Sequence, residues 1–185
     1  MEMQTERLIL RHWREDDAEA LYRHASDPHI GPACGWMPHT SVEYSREIIR
    51  TALSGPETYA LVLKTTGEPI GCASIMDARE GSAPMQDGDG TREIGYWLGV
   101  PYWGQGLVPE AVCMLLHRCF TELNCTAVWC GYFEGNDKSR RVQEKCGFVY
   151  HHTEYDKPCA HIPERRTEHI TQMTLAQWKT RYGKQ

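Results

Sequence analysis

The chain has 185 residues, of which 41 % are hydrophobic and 24 % charged, a size and composition that suit one globular domain with a sizeable core. Its 20 basic and 25 acidic residues give a net charge of −5, which disfavours nonspecific nucleic-acid binding and mildly favours a cationic partner such as an amine. Solubility alone would also explain this charge. No apolar run approaches the roughly 18–20 residues of a membrane span, and the opening MEMQTERLIL lacks the pattern of a signal peptide. We therefore expect a cytoplasmic monomer or homodimer without nucleic-acid or membrane partners.

In the first half of the chain, hydrophobic periodicity and capping residues define the elements. Asp16 or Asp17 is suited to cap the first predicted helix, and Ser41 the second. In chain order we predict a strand (7–13), a helix (14–27), a Gly/Pro loop (31–41), a second helix (42–53) and two strands (59–64 and 69–76) joined by a turn.

The second half continues the alternation of strands and helices, and Gly147 is placed to end its shorter helix. In order we predict a polar loop (77–91), a buried strand (92–100), a helix with one apolar face (107–120), a strand (126–133), a short helix (136–148) and a closing pair of strands (148–155 and 167–175). No repeat or linker divides this series, so we predict a single α/β domain over residues 1–185 with a mixed sheet.

The eight cysteines include no C-x-x-C pair, and most lie in apolar segments. This distribution favours buried, reduced thiols over a disulfide framework. Near the C-terminus, His151, His152, Cys159, His161 and His169 are close in sequence, but their spacing matches no standard zinc pattern. We expect no metal.

The stretch GVPYWGQGLVPEA (99–111) joins the buried strand to the apolar helix. A helix N-terminus carries unpaired N–H groups and partial positive charge, which together bind anions. Gly104 and Gly106 permit close approach to the backbone, and Pro109 is tolerated in a first helical turn. The candidate phosphate-binding N–H groups are those of Trp103, Gly104, Gln105, Gly106, Leu107 and Val108. A tight strand-to-helix turn without a ligand is the alternative, and neither a P-loop nor a dinucleotide fingerprint is present.

Two motifs, EIGYWLGVPYWGQGLVPEA (93–111) and NDKSRRVQEKCGF (136–148), together resemble the GNAT superfamily of acyl-CoA N-acyltransferases. The opening TERLILRHWREDDAEALY and the ending MTLAQW resemble its ribosomal-protein N-terminal acetyltransferase branch. The resemblance implies a mixed, mostly antiparallel sheet with flanking helices and a splayed central strand pair. It also implies that the glycine loop holds the pyrophosphate of acetyl-CoA. Two positions depart from the family: Pro101 replaces a frequent Arg or Gln, and Gln143 replaces the Tyr that protonates the leaving thiolate.

The resemblance implies an N-acetyltransferase that moves an acetyl group from acetyl-CoA to a primary amine by direct attack in a ternary complex. The acceptor is a protein N-terminus or a small amine. The alternative is a non-catalytic acyl-CoA-binding or regulatory module, which the absence of the family Tyr favours.

Two residues are candidates for catalysis. Acetyl transfer requires a neutral amine, and a carboxylate can help to remove the amine proton. Glu93 stands near the start of the buried strand, where the resemblance implies a base that often acts through water; a surface salt bridge with Arg92 is the alternative. Ser139, one turn into the short helix, is our candidate donor to the leaving sulfur, and a solvated helix serine is its alternative.

Other residues are candidates for binding. The strand end at Leu98, Gly99 and Val100 is expected to leave backbone groups unpaired, and the resemblance assigns such groups to pantetheine and the oxyanion. The resemblance also assigns Asn136 a pantetheine contact, although an N-cap role would explain it. A third group, Arg140 with its basic neighbours, either binds coenzyme A phosphates or forms a charged face. In the loop after the first helix, Trp36 and His39 either line the acceptor pocket or pack onto the sheet.

Overall fold

A computed structural model describes residues 2–78, 90–159 and 161–183, so most of the predicted 77–91 loop lies outside the described residues. The strands are β1 (Glu2–Gln4), β2 (Leu8–Arg11), β3 (Thr58–Leu63), β4 (Pro69–Asp77), β5 (Thr91–Leu98), β6 (Ala127–Phe133), β7 (Val149–Pro158) and β8 (Arg165–Thr174). The α-helices are α1 (Ala18–Ala25), α2 (Val42–Arg50), α3 (Leu107–Thr121), α4 (Asp137–Cys146) and α5 (Leu175–Tyr182).

These strands form one sheet in the order β1-β2-β3-β4-β5-β6-β8-β7. Strands β5 and β6 are parallel, and their pairing covers only Thr91–Glu93 against Ala127–Trp129. Beyond this ladder, β5 continues to Leu98 and β6 to Phe133. The predicted mixed, mostly antiparallel sheet with a splayed central pair is therefore confirmed.

The chain divides into two compact units. The first comprises Met1–Ser74, Tyr96–Ala111 and Cys159–Glu164, and the second comprises Ile75–Gly95, Val112–Pro158 and Arg165–Gln185. Three continuous elements, β4, β5 and α3, supply residues to both. The single domain over 1–185 stays a prediction.

In the first unit, α1 and α2 bury apolar faces against β3 and β4. Helix α2 begins as predicted, because Ser41 Oγ accepts a hydrogen bond from the Tyr44 N–H at 3.0 Å. Asp17 is the N-cap of α1 by position but makes no side-chain cap hydrogen bond. Its carboxylate instead accepts two hydrogen bonds from the Arg11 guanidinium, at 2.6 and 2.8 Å.

The second unit is organised around the apolar side of α3, where Leu115, Leu116 and Cys119 are wholly buried. Helix α4 ends at Gly147 in a left-handed conformation with φ of 90°, as predicted. The closing strands pair as predicted, the pairing is antiparallel, and β8 lies between β6 and β7.

Two elements, β1 and α5, were not predicted from the sequence. Strand β1 has only three residues and pairs with β2, so its own sequence carries little signal. Helix α5 begins with a capping box between Thr174 and Gln177, and Trp178 packs on Phe120 of α3 with ring centroids 5.4 Å apart. Among the helices of the described ranges, none has the length and apolar character of a membrane span.

Candidate functional site

The glycine loop adopts a conformation that other residues rarely reach. Gly104 and Gly106 have φ of 76° and 78°, in the left-handed region where a side chain strains the backbone. Within the described part of the chain, the backbone N–H groups of 104–108 donate to no carbonyl or side chain. Since α3 has 15 residues, these N–H groups stand at the positive end of a full helix dipole. The N–H of Trp103, by contrast, donates to the Val100 carbonyl at 3.1 Å. One of the six N–H groups predicted to bind phosphate is therefore already paired.

A cluster of polar groups that sequence analysis missed holds this loop. The Arg7 guanidinium donates to the Gln105 carbonyl at 2.9 Å and to the Glu110 carboxylate at 2.7 Å. Glu110, in the first turn of α3, also accepts hydrogen bonds from the Arg7 N–H and the Thr5 hydroxyl. Burial opposes ionisation of Glu110, but these hydrogen bonds lower its pKa overall. Arg7 and Glu110 lie 103 positions apart in the sequence, so no local pattern pairs them.

The expectation of unpaired backbone groups at Leu98, Gly99 and Val100 is wrong for most of them. The Leu98 carbonyl accepts the Trp103 indole N–H at 2.7 Å. The Gly99 N–H donates to Ile70, and the Gly99 and Val100 carbonyls each accept a bond from the short helical turn that follows. The absence of a side chain at Gly99 has a packing reason, since a Cβ there would lie 2.7 Å from His24 Nδ1.

Trp36 and His39 pack inside the first unit. The Trp36 ring lies against Trp97, with centroids 6.1 Å apart, and against the core that α1 and α2 cover. His39 is 8 % exposed, and its Nδ1 is 2.8 Å from Ser45 Oγ. Burial lowers the pKa of His39 to about 4, so it is neutral near pH 7. These contacts match the packing alternative, and an acceptor-pocket role stays a prediction.

Glu93 is buried in the second unit with 3 % of its surface exposed, so it does not stand on the surface, where the salt-bridge alternative with Arg92 places it. Arg92 instead lies 3.3 Å from Asp77. In the β5–β6 ladder Glu93 is the register partner of Trp129, and register partners project from the same sheet face. In the part of the chain that the structure describes, the buried Trp129 Nε1 has no hydrogen-bond acceptor. A carboxylate and an indole N–H therefore share this face where the central pair begins to separate.

The start of α4 brings together three residues of the second motif. Asn136 Oδ1 accepts the Ser139 N–H at 3.2 Å, so the N-cap role is present. Gln143, only 1 % exposed, donates to the Gly131 carbonyl at 3.0 Å and to Ser139 Oγ at 3.2 Å. Its Oε1 accepts the Thr171 hydroxyl at 2.7 Å. Gln143 thus joins α4 to β6 and β8 and orients the Ser139 hydroxyl.

Arg140, the basic residue predicted to bind coenzyme A, pairs along its own helix. Its guanidinium lies 3.2 Å from the Asp137 carboxylate and 3.5 Å from that of Glu144. Because these are exposed i,i+3 and i,i+4 pairs, they match the charged-face alternative. A phosphate contact by Arg140 stays a prediction.

A buried carboxylate that sequence analysis missed lies over β6. Glu168 of β8 occupies the space where a Cβ of Gly131 would be, and its carboxylate accepts a hydrogen bond from Lys157 Nζ at 2.9 Å. Lys157 also donates to Glu154. Burial opposes its charge, yet the bonds to both carboxylates raise the pKa of Lys157. The cross-strand pairing of β7 with β8 creates this cluster, so sequence spacing gives no sign of it.

Three of the histidines near the C-terminus, His151, His152 and His169, make polar side-chain contacts. His151 and His152 approach through their Nδ1 atoms at 2.8 Å, and His169 Nδ1 is 2.9 Å from the Thr153 hydroxyl. Within the described ranges, no three His, Cys, Asp or Glu side chains are arranged to hold a metal ion.

Comparisons with known proteins agree with this architecture. The family model "Acetyltransferase (GNAT) domain" matches residues 7–149. "Uncharacterized N-acetyltransferase p20" of Bacillus licheniformis is 35 % identical over 130 residues, 67 % of this chain and 68 % of that protein. A ribosomal-protein-S5-alanine acetyltransferase from Vibrio fischeri has a TM-score of 0.72 at 18 % identity, covering 97 % of this chain and 99 % of that one. AAC(6')-Ib, solved with ribostamycin and coenzyme A, has a TM-score of 0.76 at 21 % identity, covering 97 % and 100 %.

The family match covers most of the chain, and the chain has the splayed strand pair and the glycine loop. Together these features identify it as an acyltransferase. More particularly, the chain belongs to the GNAT acetyltransferase family.

Proposed function

We propose that this chain transfers an acetyl group from acetyl-CoA to a primary amine by direct attack of the amine on the thioester. The observation that carries this proposal is the glycine loop, whose backbone N–H groups at 104–108 have no acceptor in the described chain. Two glycines in the left-handed region and a 15-residue helix behind them suit a phosphate-bearing ligand.

The cofactor contacts divide into two groups. The loop N–H groups are proposed to bind the pyrophosphate, with Arg7 and Glu110 fixing the loop from outside the ligand. Pantetheine is proposed to contact Asn136 and the backbone of 98–100. At that strand end a carbonyl that already accepts one hydrogen bond retains a second lone pair, so the internal bonds of Leu98 and Val100 leave acceptor capacity.

Removal of the amine proton is assigned to Glu93. An N-terminal amine has a pKa of about 8 and a lysine amine about 10, so both are mainly protonated at pH 7. Because Glu93 is buried, we assign it a role through a water molecule rather than through direct contact with the acceptor. The reaction then forms a C–N bond, breaks the C–S bond and leaves the coenzyme A thiolate.

The leaving thiolate is assigned a hydrogen bond from Ser139. Gln143 Nε2 donates to Ser139 Oγ, and a hydroxyl that accepts a hydrogen bond becomes a stronger donor. Gln143 is therefore a positioning residue for Ser139. Since a thiol of pKa about 8.5 is a tolerable leaving group, partial donation by Ser139 or by water suffices.

The acceptor is proposed to be a protein N-terminus or a small amine. The names of two structural neighbours contain one of each: a ribosomal protein alanine and the aminoglycoside ribostamycin. The net charge of −5 favours the approach of a cationic amine. The eight free cysteines suit a reducing compartment such as the cytoplasm.

The test is an assay of thiol release from acetyl-CoA against a panel of N-terminal peptides, polyamines and aminoglycosides, with mass spectrometry of the acceptor. We expect stoichiometric thiol release and a mass gain of one acetyl group on one acceptor class. Tight coenzyme A binding, measured by calorimetry, without acetylation of any amine would instead support the non-catalytic module.

A further inference from the structure

A buried series of hydrogen bonds runs from β8 to α4 and ends at Ser139, the candidate donor to the leaving sulfur. The Thr171 hydroxyl of β8 donates to Gln143 Oε1 at 2.7 Å. Gln143 Nε2 donates to Ser139 Oγ, one turn earlier on α4, at 3.2 Å. Thr171 and Gln143 are only 5 % and 1 % exposed, so these groups are shielded from bulk water. Three side chains of the second unit are therefore connected in series.

Main-chain carbonyls fix the direction of this series. Gln143 Nε2 also donates to the Gly131 carbonyl at 3.0 Å. Because a carbonyl oxygen only accepts hydrogen bonds, the amide must turn its nitrogen towards Gly131 and its oxygen towards Thr171. The Thr171 hydroxyl has one hydrogen, and Gln143 Oε1 at 2.7 Å is closer to it than the Cys130 carbonyl at 3.0 Å. Donation therefore runs from Thr171 to Gln143 and from Gln143 to Ser139.

The Gln143 amide depends on the Thr171 hydroxyl in two ways. First, the bond to Oε1 holds the amide in place, and its removal would leave a buried oxygen without this donor. The amide would then shift towards other donors, and its bond to Ser139 would loosen. Second, hydrogen bonds in series polarise one another, so donation to Oε1 strengthens the N–H groups of the same amide.

We propose that Thr171 is a positioning residue for acetyl transfer, which fixes and polarises the Gln143 amide and through it orients the Ser139 hydroxyl towards the leaving sulfur. This inference rests on the proposed function, in which Ser139 donates a hydrogen bond to the coenzyme A thiolate. Thr171 touches no reactant in this scheme. Its whole effect on the reaction passes through Gln143 and Ser139.

Thr171→Val tests the proposal, because valine nearly conserves the volume of threonine and removes the hydroxyl. The reaction is single-turnover transfer from acetyl-CoA to the peptide, polyamine or aminoglycoside that the thiol-release panel identifies. We expect its rate to fall by about three- to tenfold, less than on loss of the Ser139 hydroxyl itself. Coenzyme A affinity, measured by calorimetry, should stay within about twofold of wild type. Thr171→Ser keeps the hydroxyl and should retain most of the rate.

A double variant separates positioning from structural damage. If Thr171 acts through Ser139, adding Thr171→Val to Ser139→Ala should cause no further loss of rate. Losses that multiply in the double variant would overturn the proposal. Thr153→Val is the matched control, since the Thr153 hydroxyl on β7 is bonded to His169 Nδ1 at 2.9 Å rather than to Gln143. This control should react at the wild-type rate.

A second measurement requires no turnover. Hydrogen exchange of the Gln143 side-chain amide, followed by NMR on the full chain, should be slow in the wild type and in Thr171→Ser. In Thr171→Val we expect exchange to be faster by about tenfold, because the amide is held less firmly. Equal exchange rates in the three proteins would overturn the proposal.

Failure of the proposed function would give a different result. The wild type would then acetylate no amine, or Ser139→Ala would react as fast as the wild type. A slow Ser139→Ala together with a wild-type rate in Thr171→Val would instead overturn the role of Thr171 alone.

Discussion

At the residue scale, Gln143 shows what a different residue does at a position where the resemblance implies a Tyr. The resemblance places a proton-donating Tyr at this position, yet the Gln143 side chain is buried and bonds to Gly131, Ser139 and Thr171. A Tyr there would lose the hydrogen bonds of the amide and overpack the interior. We therefore assign thiolate protonation to the group that Gln143 orients, Ser139, rather than to position 143.

Replacing Ser139 with Ala tests that assignment. The backbone N–H that Asn136 caps remains, so α4 and coenzyme A affinity should be nearly unaffected. General acid catalysis is worth about 10²–10⁴-fold, and a good leaving group reduces this requirement, so kcat should fall by roughly ten- to a hundredfold. Steady-state kinetics with calorimetric coenzyme A binding provide the measurement. An unchanged kcat would assign the proton to water or another group.

Replacing Glu93 with Gln tests the proposed base. The amide conserves shape at a buried position but accepts no proton, so kcat should fall by about a hundredfold near pH 7, where the amine is charged. Raising the pH deprotonates the amine without help and should restore part of the rate. A rate profile parallel to wild type over pH 6–9 would contradict a base role, because structural damage lowers the rate at every pH.

Stability should depend on His39 in mildly acidic solution. Its folded pKa of about 4 lies below the unfolded value of about 6.5, so between these values the unfolded chain binds more protons. The stability is present above pH 6.5 and is lost as the pH falls towards 4, amounting to about 2 kcal/mol at pH 5 relative to pH 7.5. Urea unfolding of wild type and His39→Asn at both pH values measures this, and an equal pH dependence in both proteins would exclude His39 as its source.

At the element scale, the glycine loop depends on contacts made outside it. Its own sequence explains the left-handed backbone at 104 and 106, but Arg7 and Glu110 hold it in place. A Val at Gly106 would test the loop poorly, because φ of 78° strains any side chain there. Removing the anchor leaves the loop sequence intact.

We expect Arg7→Ala to lower coenzyme A affinity by about three- to tenfold, or roughly 0.6–1.4 kcal/mol, because the loop N–H groups lose their fixed orientation. Arg50→Ala is the matched control, since Arg50 also places its Nε and Nη2 on a carboxylate, that of Glu15, and the two arginine side chains have similar exposure. Calorimetry should show wild-type affinity for the control. Equal affinities in both variants would mean that Arg7 does not organise the binding loop.

At the scale of the whole molecule, local signals determined what the sequence could predict. The Ser41 cap, the left-handed Gly147 and the buried face of α3 follow from residues near in sequence, and the structure confirms each. The two motifs predicted the family. The sequence did not predict the contacts that tertiary folding creates. Arg7 bonds to Glu110, 103 positions away, and Glu168 fills the space over Gly131. The Trp103 indole donates to the Leu98 carbonyl. These depend on strand register and tertiary folding, which periodicity does not encode.

The two compact units should nevertheless unfold together. Strands β4 and β5 and helix α3 each contribute residues to both units, so melting one unit removes part of three elements from the other. We expect one urea transition, with the same midpoint by far-ultraviolet circular dichroism and by hydrogen exchange of peptides from each unit. Peptides from α1 and α2 report the first unit, and those from β7 and β8 the second. Two separated midpoints would show that the units are independent domains, contrary to the single domain expected from the sequence.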